Sequence, residues 1–356
     1  MFNSKAKILL TFVVLALTVL VFAQEKLVYA VSYIRHADRT PYDIVDAINH
    51  KWQEGEGSLT ALGMHQQYEL GKQMRQRYIN DFQLLSSEYQ KGKLMVYSTS
   101  YDRTTMSAES FLYGFYPLKT GPKLDDGNFA LPEGFQPIPI RTMSANDNNL
   151  INPEISDPAG SDIVVGKYSF SSQEWLDLNN AHSEDFKEWS KILGVKIDNL
   201  RSLLVPADNI NCLLKHGYSL PEGLTKAEAE KMTALALKAC SLRFKPKEVA
   251  AFYASPFLTE VSDSLQKAAK GDSKAQYTIY FGHDDPLDGI MTALNNPPDQ
   301  NVPYAAHLDI ELYKNSDVYT VKLFFNYKPV YLTDDKTKDS YSLSEFLDLL
   351  KPYHKK

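Results

Sequence analysis

The sequence predicts an α/β fold in which both ends of the chain build the core and a smaller, mainly helical insert lies between them. Short runs rich in Val, Ile, Tyr and Phe, the pattern of buried strands, occur at residues 27–34, 94–98 and 277–281. Helical patterns dominate between the second and third of these runs. We therefore assign the core to residues 24–125 and 255–356, and the insert to residues 126–254.

The first 23 residues have the pattern of a cleavable export signal. Lys5 and Lys7 precede an apolar run over residues 8–22, which is followed by the small residue Ala23. We expect cleavage after Ala23, a periplasmic or secreted mature protein, and no stable membrane insertion after cleavage. An uncleaved anchor remains the alternative, because the run is close to the shortest length that spans a bilayer.

The first predicted strand, at residues 27–34, stops at Arg35-His36. Thr60 then caps a long amphipathic helix. The second strand, at residues 94–98, runs into Arg103 and a short helix. Both strands of the N-terminal half thus end at charged residues.

The middle of the chain changes from loop to helix. Prolines recur between residues 117 and 160, which predicts a loop with room for one strand. Apolar and aromatic residues at helical spacing predict one helix over Ser172–Leu193, with its aromatic residues in the core of the insert. Thr225 and Glu228 form a capping box in front of a further helix.

Cys212 and Cys240 are the two cysteines of the chain. In an exported protein a single pair most simply forms a disulfide, which is our prediction. Two separate buried thiols are the alternative. Their separation in sequence does not resemble a zinc site.

The third predicted strand, at residues 277–281, ends at His283-Asp284, and Pro286 suits the first position of a following helix. Residues 306–313 and 318–327 then alternate like the paired strands of a hairpin. The C-terminal end of the chain therefore returns to the sheet of the core.

Charged residues cluster at three predicted junctions between a strand and a helix, namely Arg35–Arg39, Asp102-Arg103 and His283-Asp284. Strand ends of α/β sheets form ligand crevices, and helix N-termini there offer free N–H groups to anions. Arginine binds phosphate through paired, charge-assisted hydrogen bonds. The three junctions together predict a phosphate pocket.

Two residues at these junctions have the chemistry to turn binding into catalysis. A neutral imidazole such as His36 is a good nucleophile at phosphorus, and it also leaves readily from phosphohistidine. Expulsion of an alkoxide needs a proton, which the carboxylic acid of Asp284 can give.

The overall charge agrees with a small phosphorylated substrate. The formal net charge of −6 argues against nucleic acid as a partner, because phosphate backbones require clustered Lys and Arg. A small phosphomonoester needs only a local positive pocket.

The segment Arg35-His36-Ala37-Asp38-Arg39-Thr40-Pro41 resembles the Arg-His-Gly-x-Arg-x-Pro motif of the histidine acid phosphatase family, a branch of the phosphoglycerate-mutase-like superfamily. The pair His283-Asp284 is similar to the second landmark of that family. Similarity extends over nearly the whole mature chain. The prostatic-type acid phosphatases match better than the phytases, mainly because of Asp38 and the segment around Arg103. The absence of Asn-x-Ser/Thr sites agrees with an exported bacterial member.

The resemblance implies a core with a central mixed, mostly parallel sheet flanked by helices, and it implies a role for each matching residue. His36 attacks phosphorus, and Asp284 protonates the leaving group and later helps to activate water. The implied phosphate ligands are Arg35, Arg39, Arg103 and His283. Asp38 has two open interpretations, a substrate contact or a hydrogen-bond partner within its loop. No cofactor and no metal are implied.

The expected function is therefore acid phosphatase activity on phosphate monoesters through a phosphohistidine. The alternatives are a phytase or another phosphotransferase of the same superfamily, and an exported protein that binds phospholigands without turnover. A homodimer remains open.

The chain departs from the family pattern near both catalytic residues. Ala37 replaces a glycine, and alanine costs about 1 kcal/mol or more if the backbone there has positive φ. Asp285-Pro286 replaces a common pair of threonines, which puts substrate contacts near the acid in doubt. We interpret Asp285 as a helix N-cap rather than as a second acid.

Overall fold

The computed structural model describes residues 25–48, 50–143 and 150–354, so the predicted export signal at residues 1–23 lies outside the described residues. Eight described strands form one sheet. They are β1 (Lys26–Arg35), β2 (Leu94–Thr99), β3 (Ile140–Met143), β4 (Tyr277–Gly282), β5 (His307–Asn315), β6 (Val318–Phe325), β7 (Lys328–Pro329) and β8 (Ser340–Ser342).

The sheet has the order β3-β2-β4-β1-β5-β6-β7, and β8 also pairs with β6. Strands β3, β2, β4 and β1 are parallel, whereas β5 is antiparallel to β1 and β6 is antiparallel to β5. Every residue of β4 is buried, as expected for an inner parallel strand covered on both faces. The predicted mixed sheet and the C-terminal hairpin are confirmed.

The helices of the described residues flank this sheet or stand beside it. They are α1 (Ala61–Arg75), continued by a π-helical turn (Gln76–Asp81), α2 (Asp102–Phe115), α3 (Pro153–Ser156), α4 (Pro158–Tyr168), α5 (Gln173–Ala181), α6 (Ser183–Leu193), α7 (Leu200–His216), α8 (Lys226–Leu242), α9 (Lys247–Lys270), α10 (Asp284–Ala293) and α11 (Leu343–Leu350). Short 3₁₀ turns lie at Pro132–Gly134 and Lys351–Tyr353.

One face of the sheet is covered by α1 and α2, and the other by α9 and α10. Met74 and Phe111 belong to the first apolar cluster, whereas Phe257 and Leu287 belong to the second. Helices α1 and α2 approach closely because Gly71 lies against the backbone carbonyl of Phe111, where a Cβ atom would overlap it. The two apolar layers fix the first turns of α2 and α10 beside the strand ends that precede them.

A third apolar cluster lies among α5, α6, α7 and α8 and contains Trp175, Phe186 and Trp189. This confirms that these aromatic residues form a core within the helical region. Ile48 and Trp52, from the segment that follows the Arg35–Pro41 motif, pack into the same cluster. The helical region therefore rests directly on the loop that carries the predicted nucleophile.

The division into a core and an insert stays a prediction. Its proposed boundary at residue 254 falls inside α9, and Ala254 itself belongs to the apolar cluster on the sheet. No helix among the described residues has the length and apolar character needed to cross a membrane.

Two predictions on local structure are wrong. The single helix over Ser172–Leu193 is two helices, since His182 leaves the helical conformation between α5 and α6 and its Nδ1 atom pairs with Asp185 at 2.7 Å. The segment 117–160 contains α3 and the start of α4 in addition to one strand. The first difference arises because a polar cap breaks a pattern that looks continuous in sequence. The second arises because Pro153 and Pro158 are the first residues of helices, a position that tolerates proline, and not part of a loop.

The predicted disulfide is also wrong, because Cys212 and Cys240 are free thiols. Cys212 is buried in α7, and its Sγ atom donates a hydrogen bond to the carbonyl oxygen of Arg39 at 3.4 Å. Cys240 lies on α8 and is partly exposed. Each thiol therefore belongs to the packing around the nucleophile loop and the cleft described next.

Candidate active site

A cleft of about 660 Å³ lies at the carboxyl edge of the sheet, between the ends of β1 and β4 and the helices α7 and α8. Parallel pairing places Arg35 beside Gly282 and Ser98 beside Phe281, so the three predicted junctions meet at this edge. The cleft is lined by every predicted site residue except Asp38: Arg35, His36, Arg39, Arg103, His283 and Asp284.

His36, the predicted nucleophile, is held as a neutral imidazole with one ring nitrogen free. Its Nδ1–H donates to the carbonyl oxygen of Ala37 at 2.9 Å, which leaves the lone pair on Nε2. Its backbone N–H donates to the carbonyl oxygen of Gly282 at 2.9 Å. Burial, and then the positive charges of Arg103 and Arg35, lower the pKa of His36 well below its usual value. The imidazole therefore stays unprotonated under acidic conditions.

Three arginines converge on the cleft, and two of them have part of their hydrogen-bonding capacity unused. Arg35 donates to Asp284 Oδ2 at 2.6 Å and also to the carbonyl oxygen of Val302. Its Nε atom is buried without a hydrogen-bond partner among the described residues, and the same holds for Nε of Arg103. Burial and the nearby Arg39 lower the pKa of Arg103 to about 10, so that this side chain is still charged at neutral pH.

Arg39 is tied to the helical region. Its Nη1 atom donates to Asp208 Oδ2 at 2.9 Å, and Asp208 lies on α7. Burial alone would lower the pKa of Arg39, but Asp208 more than compensates and raises it. The arginine is therefore always charged, and α7 fixes its position.

His283 and Asp284 lie where β4 meets α10. His283 Nε2 is 3.1 Å from the hydroxyl oxygen of Thr99, and burial together with Arg103 lowers the pKa of His283 to about 3. Asp284 Oδ2 accepts from Arg35 and also from Asn301 Nδ2 at 2.7 Å. Although burial opposes it, the charge of Arg35 holds the pKa of Asp284 below its usual range. Without a ligand, Asp284 is therefore a carboxylate.

Asp38 does not line the cleft. Its side chain is only 1% exposed, and its Oδ1 atom accepts from the Thr60 hydroxyl at 2.6 Å and from His216 Nε2 at 2.7 Å. Its backbone N–H donates to Gln66 Oε1. Of the two open interpretations, these contacts match the hydrogen-bond partner within the loop, and they connect that loop to α1 and α7.

The departures from the family pattern have simple structural outcomes. Ala37 is absent from the described residues with positive φ, and its N–H donates to Ser107 Oγ at 3.2 Å, so replacing glycine costs nothing in backbone strain. Asp285 is the second residue of α10 rather than its N-cap, which is His283. Pro286 is the third residue rather than the first, a position where its missing N–H has no partner inside the helix.

Sequence reasoning missed several residues that complete the cleft. The Tyr304 ring lies 4.5 Å from the Arg35 guanidinium and 5.9 Å from the His36 ring. Arg243, at the end of α8, donates to Asp285 Oδ1 at 2.7 Å. Asn301 and Asp208, already described, hold Asp284 and Arg39. None of the four has a local motif, although Tyr304 follows directly on a loop rich in Pro and Asn.

Comparisons with known proteins identify the family of this chain. The model of the histidine phosphatase superfamily (branch 2) matches residues 26–326. Lysosomal acid phosphatase of Xenopus laevis is 29% identical over 322 residues, covering 88% of this chain and 72% of the relative. Prostatic acid phosphatase of Bos taurus is 26% identical over 352 residues, covering 92% of this chain and 85% of the relative.

Solved structures of similar fold include phytases. The phytase of Klebsiella sp ASR1 has a TM-score of 0.70 at 14% identity, covering 93% of this chain and 97% of that chain. Hafnia alvei phytase has a TM-score of 0.67 at 15% identity, covering 94% and 98%. These similarities establish the fold, while the sequence match over residues 26–326 establishes the family. The chain belongs to the histidine phosphatase superfamily, branch 2.

Proposed function

We propose that this chain is an acid phosphatase that hydrolyses phosphate monoesters through a phosphohistidine on His36. The observation that carries the proposal is the state of His36, a buried neutral imidazole whose Nδ1–H is held by the Ala37 carbonyl. A nucleophile in this state lies in one cleft with three arginines and the carboxyl group of Asp284. The acid phosphatase relatives support the same assignment.

In the first step, the lone pair on His36 Nε2 forms a bond to phosphorus while the bond from phosphorus to the ester oxygen breaks. Arg35, Arg39 and Arg103 stabilise the negative charge on the three remaining phosphoryl oxygens. The leaving oxygen takes a proton from Asp284 and departs as an alcohol. The products of this step are phosphohistidine and the carboxylate of Asp284.

Asp284 must gain a proton before this step, although Arg35 keeps it ionised in the free cleft. A bound phosphate dianion engages Arg35 and brings negative charge close to the carboxylate. Both effects raise the pKa of Asp284 relative to the free enzyme. Acidic conditions then supply the proton, while the low pKa of His36 keeps the nucleophile neutral. The rise in the pKa of Asp284 on substrate binding and the low pKa of His36 together explain why the optimum should be acidic.

In the second step, a water molecule attacks phosphorus from the side that the alcohol has left. Asp284 accepts a proton from this water, the bond between His36 Nε2 and phosphorus breaks, and inorganic phosphate forms. His36 returns to its neutral state and Asp284 to its acid form, so the cycle is closed. The same carboxyl group thus serves as acid and then as base.

Phytase activity is the second candidate, because solved structures with TM-scores up to 0.70 are phytases. A mutase or other phosphotransferase would need to pass the phosphoryl group to a second hydroxyl. A non-catalytic phospholigand-binding protein is opposed by the presence of both His36 and Asp284. Measuring phytate, aryl phosphates and tight phosphate binding side by side separates these functions.

The proposal extends to location and assembly. We propose export through a signal cleaved after Ala23, which N-terminal sequencing of the secreted or periplasmic protein would test. A homodimer stays a prediction, which light scattering of the purified protein would test. The helical insert at residues 126–254 likewise remains a proposed unit.

The decisive experiment is hydrolysis of p-nitrophenyl phosphate by residues 24–356 from about pH 4 to about pH 8 in excess EDTA. We expect metal-independent activity with an acidic optimum, and none in His36→Ala that has the same circular dichroism spectrum. Acid quenching of the wild type during turnover should trap phosphate on His36, identified by mass spectrometry. Activity that EDTA abolishes, or that survives in His36→Ala, would contradict the mechanism.

A further inference from the structure

The charges that line the cleft almost cancel. Among the described residues, five basic and four acidic side chains line it, which leaves a net charge of +1 with the histidines neutral. One phosphoryl group, as a dianion, changes this balance to −1, or to 0 once Asp284 has gained the proton that the proposed mechanism requires. A second phosphate on the same substrate would therefore enter a cleft with no net positive charge left to attract it.

The acidic excess lies beside the proton donor. Asp285 directly follows Asp284 in α10, and its side chain is 23% exposed and lines the cleft. The leaving group must lie next to Asp284, because Asp284 protonates its oxygen. Asp285 is therefore placed to face the leaving group rather than the transferred phosphoryl group.

Arg243 holds Asp285, although its Nε atom, like those of Arg35 and Arg103, is buried without a hydrogen-bond partner among the described residues. Its Nη2 atom donates to Asp285 Oδ1 at 2.7 Å, and its side chain is 18% exposed. Glu154, from α3, lines the same part of the cleft and accepts from the Tyr253 hydroxyl at 3.3 Å. Two carboxylates and one guanidinium give this end of the cleft a net charge of −1.

The opposite wall carries the other cation of the cleft. Lys215, on α7, lies 5.5 Å from the centroid of the Tyr304 ring, close to the arginines that bind phosphate. Its charge adds to the phosphate end rather than to the end formed by Asp285 and Glu154. The cleft is therefore polarised along its length.

Building on the proposed function, we propose that Asp285, held by Arg243, makes the cleft select monoesters with a single phosphate when its carboxyl group is ionised. A leaving group that is neutral or cationic is accepted there, and one that carries a second phosphate is rejected. A like charge at close range in a partly buried cleft weakens binding by about tenfold or more. The chain would thus differ in substrate class from the phytases whose fold it shares.

The titration of Asp285 provides a readout that packing alone would not produce. Burial raises the pKa of Asp285 to about 7, Asp284 and Glu154 add to the rise, and Arg243 opposes it. Three further titratable groups act in this region, from α8, α9 and α10: Cys240, Tyr253 and Asp288. The charge on Asp285 thus grows as the pH rises toward and beyond 7, and the rejection of a second phosphate should grow with it.

The test compares kcat/KM for phenyl phosphate, phosphoethanolamine and fructose 1,6-bisphosphate in the mature protein. In Asp285→Asn at about pH 7.5, the ratio of bisphosphate to phenyl phosphate should rise about tenfold, and the ratio for phosphoethanolamine should fall. Glu154→Gln should produce a smaller change of the same sign. Asp263→Asn, an exposed position on α9, is the matched control and should change neither ratio. The difference between wild type and Asp285→Asn should shrink toward pH 5, the acidic side of the pKa of about 7.

The outcomes separate this inference from the proposed function. Phenyl phosphate hydrolysis with unchanged ratios in a folded Asp285→Asn would overturn the inference alone. A wild type that hydrolyses no monoester would overturn the proposed function and the inference together. If Asp285→Asn does not fold, Glu154→Gln decides, because a ratio that stays at the wild-type value would count against selection by charge.

Discussion

Two groups of arginine and carboxylate side chains pack against the same sheet and differ in how completely they are paired. In the first, Glu311 of β5 accepts two hydrogen bonds from Arg77 at 2.7 Å each, and the hydroxyls of Tyr78 and Tyr313 also donate to it. In the second, at the cleft, the Nε atoms of Arg35 and Arg103 have no partner among the described residues. The first group is complete in itself, whereas the second needs an anion to complete it.

The difference separates structure from function in physical terms. A fully hydrogen-bonded ion pair inside a protein cannot be broken on one side without leaving a buried charge uncompensated. Positively charged side chains that lack some of their hydrogen-bond partners can still bind an anion, so a cleft that contains them can bind a phosphate dianion. Changes at Glu311 should therefore affect stability, and changes at the cleft should affect activity.

Asp284→Asn should produce the largest effect. Because asparagine cannot donate a proton to the leaving group, kcat for alkyl phosphates should fall about 10³-fold to 10⁴-fold. The loss should be much smaller for p-nitrophenyl phosphate, whose leaving group departs without full protonation. Steady-state kinetics on both substrates measures this. Equal losses on the two substrates would show that Asp284 is not the proton donor.

Glu311→Gln should reduce stability and leave kcat unchanged, the reverse of what we expect for Asp284→Asn. Removing the charge that compensates the partly exposed Arg77 should lower the free energy of unfolding by about 1–3 kcal/mol. Urea denaturation at neutral pH measures the change, with kcat on p-nitrophenyl phosphate as the control. A stable protein with reduced kcat would remove the distinction between the two groups.

Arg103→Gln should lower kcat/KM about 10²-fold, because one of the donors that stabilise the phosphoryl group is lost. Its stability should stay the same or increase, since a buried cation with an unpaired Nε atom is removed. Thermal unfolding and kinetics on the same sample test both parts. A destabilised variant would mean that Arg103, like Arg77, contributes mainly to the stability of the fold.

The smallest predicted effect concerns pH. The pKa of His36 is lowered in the folded state, so the unfolded chain binds more protons below about pH 6.5 and the fold loses stability as the pH falls through that range. In His36→Ala, the free energy of unfolding should therefore fall less than in the wild type between about pH 6.5 and about pH 5. Denaturation curves at the two pH values measure it, and parallel losses would contradict the shifted pKa.

The Arg77–Glu311 group and the cleft also differ in how well each can be predicted from the sequence. The cleft was predictable because strands have local patterns and their ends place Arg35, His36 and Asp284 at one edge of a parallel sheet. Arg77 and Glu311 have no such signal, since Arg77 looks like any polar residue on the outer face of a helix. Their pairing depends on the π-helical turn and on the position of β5, which only the tertiary fold determines.

The same limit explains the errors in the helical region. Asp208 and Arg243 reach the cleft from α7 and α8, and the direction in which these helices pack cannot be read from their periodicity. The disulfide prediction relied on the number of cysteines and the expected compartment, not on geometry. His182 interrupts a pattern that is helical on both sides, because the polar start of α6 competes with continuation of α5.

The position of β1 has a consequence for the order in which the molecule can form. This strand is synthesised early, yet its neighbours in the sheet are β4 and β5, and Arg35 meets Asp284 across 249 positions of the chain. Contacts between residues so distant in sequence form slowly. Closing the long loop between them costs conformational entropy before the contact contributes favourable energy. The strand that leads to His36 must therefore wait, as an apolar segment without partners, until nearly the whole chain has been made. A ribosome that stops before β4 would release an aggregation-prone fragment rather than a weaker enzyme.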